Sequence, residues 1–127
     1  MPLVRIDTLN MEPQRLEALG DAVQQALTDT IGFPAEDRFQ VLTSHDGRAG
    51  TLRHGTYLDV PRDDGIVYVD ITLRAGRTDE QKTALYARLC LLVHQRAQVE
   101  PHNVFVVLHE NSSADWSFGY GEAQYLP

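Results

Sequence analysis

The feature that most limits what this chain can fold into is a repeat within it. Val4-Arg5-Ile6-Asp7 matches Val67-Tyr68-Val69-Asp70 at an offset of 63, and Gln14-Arg15 matches Gln81-Lys82 at an offset of 67. After each of these segments a proline precedes a strand with Phe near its start, Pro34 then Phe39 and Pro101 then Phe105. Several matches in one order point to duplication of a strand-helix-strand unit, with copies at residues 1–62 and 63–127 of a single domain. A strand-helix-strand crossover is right-handed and leaves its two strands parallel. Two such units predict an α/β fold, a four-stranded and mostly parallel sheet with both helices on one face. The other face stays bare. Parallel sheets are usually covered on both faces, so the bare face predicts a homo-oligomer in which sheets face one another.

Local signals place the elements. Leu3, Val4 and Ile6 read as a first strand. Pro13 suits the first turn of a helix whose apolar residues Leu16, Leu19, Val23 and Leu27 share one side, and Gly32-Phe33-Pro34 stops it. Phe39, Val41 and Thr43 then alternate with Arg38, Gln40 and Leu42 as a second strand. Residues 44–64 shift to Gly, Asp, His, Arg and Pro and read as a loop with at most a short strand, in which only Tyr57, Leu58 and Val60 look buried. Ile66 to Ile71 is the strongest strand signal, being rich in β-branched residues. Thr78-Asp79-Glu80-Gln81 is a capping box opening a second helix with Leu85, Leu89, Leu92 and Val93 on one side. Pro101 breaks it, and Val104 to Leu108 forms a last strand.

Composition narrows the function. A net charge of −7 with eleven scattered Lys and Arg argues against nucleic acid as a partner. No apolar run approaches membrane-span length, so no membrane partner is expected. One cysteine, Cys90, excludes an internal disulfide framework and suits a reducing cytoplasm. The five histidines lack metal-ligand spacing and no zinc signature is present, so no metal is assigned. His94 falls in the last turn of the second helix, where a cation is favourable. His45, His54, His102 and His109 have no partner that the sequence names.

Three places carry chemistry. If Met1 is trimmed, Pro2 becomes the amino terminus, and its ring nitrogen turns from a donorless amide into a secondary amine whose reference pKa is about 8. Burial or nearby cations would lower that value towards a general base, whereas anions would raise it. The plain alternative is an ordinary Met-Pro start. Gly65 occupies the equivalent place in the second copy, so one chain offers one such amine. Asp37 stands at the mouth of the second strand, at the same end of the sheet as Pro2, either as a site carboxylate or as a turn residue after Pro34. Arg74 and Arg77 flank the turn into the second helix. Arginine forks bind carboxylates in bidentate fashion and a helix N-terminus adds amide donors, or these are two solvated loop arginines. Trp116, Phe118 and Tyr120 crowd one short stretch that can wall an apolar pocket or cover a subunit interface.

Pro2-Leu3, Asp37-Arg38-Phe39-Gln40-Val41, the Arg77-Thr78 turn and Asp115-Trp116-Ser117-Phe118-Gly119 together resemble the tautomerase superfamily of the 4-oxalocrotonate tautomerase type, in particular its malonate semialdehyde decarboxylase group. The resemblance spans nearly the whole chain. It implies a duplicated β-α-β fold, a homotrimer, no cofactor and an amino-terminal proline as the catalytic group. Carried over, Pro2 is the acid or base, Asp37 positions or polarises water or substrate, and Arg77 holds a carboxylate. Trp116, Phe118 and Tyr125 fall where pocket-lining aromatics lie. Arg74 is a further substrate-binding candidate, but the sequence departs from the pattern there. In the decarboxylases two arginines flank one proline, whereas Ala75-Gly76 separates them here, a lengthening free to point Arg74 elsewhere.

The resemblance therefore implies a cofactor-independent keto-enol tautomerase of small 2-oxo acids. The alternative is a decarboxylase or hydratase of a 3-oxo acid such as malonate semialdehyde, with Pro2 held cationic. A third reading, from another class, is a trimeric binding protein without turnover.

Overall fold

The computed structural model describes residues 1–127. In chain order the elements are β1 (Leu3–Leu9), α1 (Pro13–Ile31), β2 (Gln40–His45), β3 (Val67–Arg74), α2 (Asp79–Ala97) and β4 (Val104–Asn111). Single 3-10 turns occur at Gly47–Ala49, Pro101–Asn103 and Ser113–Asp115. The four strands form one sheet in the order β2-β1-β3-β4. Within each unit the strands are parallel, β1 with β2 and β3 with β4, while the units join through the antiparallel pair β1 and β3. The sheet is thus mixed, with two parallel pairings of three. No helix is long and apolar enough to cross a membrane.

Each helix begins and ends for a local reason. In α1, Pro13 occupies the first turn, where a missing N–H is harmless, and Gly32 closes the helix at φ 89°, its N–H reaching Leu27 and Thr28 carbonyls. In α2, the Thr78 side chain accepts from the Gln81 N–H and the Gln81 side chain accepts from the Thr78 N–H, the capping box read from the sequence. Gln98 ends α2 in the left-handed conformation, and Arg15 of α1 donates to the Ala97 and Gln98 carbonyls at 2.6 and 3.0 Å. Both helices run 19 residues, from Pro13 and from Asp79. The helix register is therefore an offset of 66, not the 67 suggested by Gln14-Arg15 and Gln81-Lys82. The buried pairs Leu19 and Leu85, Val23 and Leu89, and Leu27 and Val93 follow that register.

Alternation along the strands gives the sheet two faces. Val4, Ile6 and Thr8 of β1 and Val67, Val69, Ile71 and Leu73 of β3 turn towards the helices and are buried. With the apolar faces of α1 and α2 they make one hydrophobic cluster. Each fully buried Leu or Ile there is worth about 2 kcal/mol of transfer free energy. Leu3, Phe39, Val41, Phe105 and Val107 remain exposed; Leu3, Val41, Phe105 and Val107 stand on the opposite face. Val41 of β2 thus faces away from the helices, while its neighbour Leu42 packs on the core. Four of the five histidines find carboxylates: His45 meets Asp7 at 2.7 Å and His109 meets Asp70 at 3.0 Å on the bare face, while His54 meets Asp64 and His102 meets Asp63.

One reading of the 44–64 loop is corrected. Tyr57 and Leu58 are 73% and 79% exposed, because the only ladder contact there is an isolated bridge between Tyr57 and Val60, which leaves both side chains off the core.

Candidate active site

Registers bring distant segments to one pole. Leu3 pairs with Thr72 across the antiparallel junction, Arg74 pairs with Asn111 across β3 and β4, and the Val4 N–H donates to the Phe39 carbonyl at 2.9 Å. The start of β1 and the ends of β3 and β4 therefore meet where the chain runs on to Trp116. A cavity of about 540 Å³ opens there, lined by Met1, Pro2, Leu3, Phe39, Thr72, Asn111 and the 115–118 stretch. That volume suits a small organic ligand. Pro2 is buried in its wall.

Asp37 is presented by a turn that α1 holds in place. The Asp37 N–H donates to the Pro34 carbonyl at 3.0 Å, and Nε2 of the buried Gln24 donates to the carbonyls of Pro34 and Asp37 at 3.2 and 3.3 Å. Gln24 was not legible as a site residue, since an amide on a helix gives no sign of the turn it reaches.

The arginine turn is likewise built from its neighbours. The Ala75 N–H donates to the Asn111 carbonyl at 2.8 Å, and Gly76 at φ 125° takes a conformation that a side chain would strain. The Glu110 carboxylate is held below its usual range first by a hydrogen bond from Lys82, and it also accepts from the Gly76 N–H. Arg77 donates to the Arg74 carbonyl at 3.3 Å and lies 5.0 Å from the centre of the Phe33 ring. Arg74 turns the other way, its guanidinium 4.1 Å from the centre of the Tyr125 ring and donating to Ser113 Oγ at 3.4 Å.

The residues singled out from sequence fall into two groups. Pro2, Trp116 and Phe118 line the cavity; Asp37, Arg74, Arg77 and Tyr125 do not. Asp37 and both arginines nevertheless act on the terminal amine. Its pKa is lowered, first by burial; Asp37 opposes the shift, and Arg77 and then Arg74 assist it. That amine belongs to Met1, and trimming would move it one residue inward, to the buried Pro2. Asn111 and Thr72 were missed as lining residues because only strand pairing brings them here. Asn111 Oδ1 accepts from Trp116 Nε1 at 2.7 Å and so seats the indole. Trp116 stacks on Phe118 at 5.5 Å between centroids, and Phe118 meets Tyr125 edge-on at 5.0 Å. Cys90 stays remote from this chemistry, its thiol pushed up by burial.

Two β-α-β units sharing one mixed sheet, with helices on one face and a cavity at the amino-terminal pole, define the tautomerase-superfamily fold. The profile of the family described as "Tautomerase enzyme" matches residues 37–119. The chain is 34% identical to the probable tautomerase YusQ of Bacillus subtilis over 99% of both chains. Among solved structures it is similar to a malonate semialdehyde decarboxylase, at 32% identity and a TM-score of 0.86, over 97% of this chain and 95% of that one. A second malonate semialdehyde decarboxylase, FG41, inhibited by 3-bromopropiolate, is 36% identical with the same TM-score of 0.86, over 97% and 93% of the two chains. The chain belongs to the tautomerase family of enzymes, with a relation to its malonate semialdehyde decarboxylase members.

Proposed function

We propose that this enzyme is a cofactor-independent keto-enol tautomerase of small 2-oxo acids that uses Pro2, freed by loss of Met1, as general base and acid. The observation that carries the proposal is the burial of Pro2 in the cavity wall, next to a Met1 amine whose pKa is lowered, first by burial, with Asp37 opposing and Arg77 and Arg74 assisting. A neutral secondary amine near pH 7 can take the proton of an enol hydroxyl and return it to the adjacent carbon. The substrate is then isomerised with no net gain or loss of atoms. Arg77 holds the substrate carboxylate and offsets charge building on the enolate oxygen. Asp37 positions water or substrate, and Trp116 and Phe118 wall the apolar end. Self-association as a homotrimer would cover the exposed Leu3, Val41, Phe105 and Val107. The lone Cys90 supports a cytoplasmic setting.

A second reading is favoured by two observations. The similarity to malonate semialdehyde decarboxylases covers nearly the whole chain, and Asp37 is the strongest charge acting on the amine, in the direction that keeps it cationic. In that reading a cationic Pro2 polarises the carbonyl of a 3-oxo acid while arginine holds the departing carboxylate.

The pH profile separates the two. With intact mass confirming a free Pro2, ketonisation of enol-form phenylpyruvate rises as Pro2 deprotonates, and NMR titration of the Pro2 nitrogen gives the same midpoint. Asp37→Asn removes the charge that raises this pKa, so the rising limb moves to lower pH. Decarboxylation of a 3-oxo acid that falls as Pro2 deprotonates selects the second reading. Full activity in protein that retains Met1 sinks both.

A further inference from the structure

We infer that Arg74 is a positioning residue which sets the cavity wall through Tyr125, leaving Arg77 to grip the substrate carboxylate. The inference rests on the proposed site at Pro2 for its catalytic consequence, though not for its geometry.

A closed ring of contacts carries it. The Arg74 guanidinium lies 4.1 Å from the centre of the Tyr125 ring. Tyr125 meets Phe118 edge-on at 5.0 Å, Phe118 stacks on Trp116 at 5.5 Å, and Trp116 Nε1 donates to Asn111 Oδ1 at 2.7 Å. Asn111 is the strand partner of Arg74, which closes the ring. Asn111, Trp116 and Phe118 line the cavity while Arg74 and Tyr125 stand behind them.

The C-terminal segment is folded to make this possible. Gln124 accepts from the Phe118 N–H at 2.9 Å and donates to the Gly119 carbonyl at 3.0 Å, drawing Tyr125 back beside Phe118. Gly121, at φ 69°, serves the reversal between them. No strand or helix includes this segment, so side-chain contacts fix its place. A planar guanidinium suits a face-on seat on a phenol ring, and its Ser113 contact at 3.4 Å adds a second tether. Geometry also explains why Ala75-Gly76 matters. The longer turn separates the two arginines, so that one meets the C-terminal segment and the other lies over Phe33.

Trp116 is the only tryptophan, so its emission reports the wall directly. The test is a double-mutant cycle of Arg74→Met and Tyr125→Leu, read by Trp116 emission in the ligand-free protein and by KM on the pH plateau. Each single variant is expected to move emission to longer wavelength and to raise KM roughly three- to tenfold, the scale of a cation–π contact. The double variant goes no further than either, because both break one link. Tyr125→Phe keeps the ring and should keep the wild-type emission. Multiplying KM effects in the double variant would mean that Arg74 meets substrate directly and would overturn the inference, as would unchanged emission in Arg74→Met. If the Pro2 reading fails and no turnover is found, the emission cycle still decides the role of Arg74.

Discussion

The two β-α-β units use matching positions for opposite purposes. Pro2 precedes β1 by one residue and is buried against the cavity. At the strand offset its counterpart is Gly65, whose N–H donates to Asp63 Oδ1 at 2.8 Å, the same oxygen that Asn103 Nδ2 reaches at 2.7 Å. The residue two places before each helix differs as sharply. In the first unit it is Met11, 7% exposed and part of the core; in the second it is Arg77, half-buried and lowering the pKa of the Met1 amine by its charge. One pole is closed by local hydrogen bonds and packing, while the other is left open and charged. Two units of like design provide two matching ends, and because the shared core of strands and helices carries stability, one end is free to carry the proposed chemistry.

The largest effect expected of this contrast is at the strand starts. Pro2→Ala should lower kcat about 10²- to 10⁴-fold, the span of general acid–base catalysis, with little change in melting temperature. Gly65→Ala should do the reverse. Its Cβ would meet Asn103 Nδ2 at 2.8 Å and Asp63 Oδ1 at 3.0 Å, so it costs about 1 to 3 kcal/mol by disturbing that pair and leaves kcat per folded molecule intact. Equal kinetic loss in both variants would break the comparison.

A smaller effect is expected at the helix entries. Arg77→Met should raise KM about ten- to a hundredfold by removing a charged hydrogen-bonding fork, without lowering the urea midpoint. Met11→Ala should lower that midpoint by a loss of about 2 kcal/mol or more for an emptied core site and leave KM unchanged. A KM change in Met11→Ala would mean that the two poles communicate.

The smallest effect sharpens the comparison at the helix ends. Gly32 and Gln98 both hold positive φ, at 89° and 53°. Gln98→Gly should stabilise by about 0.5 to 1 kcal/mol, and Gly32→Ala should destabilise by a similar amount, both read by thermal unfolding.

Much of this architecture was legible because its signals are short-range. Pro13, Gly32 and the Thr78 to Gln81 box act within one helical turn, and all three function as read. The site was legible in part. Pro2, Trp116 and Phe118 line the cavity, but Asn111 and Thr72 enter it only through strand pairing, and Gln24 reaches the Asp37 turn across a helix. The four histidine–carboxylate pairs join residues 10 to 39 positions apart, beyond any spacing rule. Tyr57 and Leu58 misled because apolar character in a loop does not say whether a core lies within reach.

By itself the sequence determined which segments become strands and helices, where α1 stops, and that a single chain holds one proline able to become a terminal amine, whereas β3 and β4 run on to Arg74 and Asn111, past the Ile71 and Leu108 read from the sequence. Alternation, caps and turns are properties of neighbours a few residues apart, so the order of residues suffices. Only the tertiary structure decided that the units meet antiparallel, that Val41 turns away from the helices, and that Arg74 seats on Tyr125 while Arg77 does not. Those outcomes depend on register and packing between segments distant along the chain, where a shift of one residue sends a side chain to the other face of the sheet.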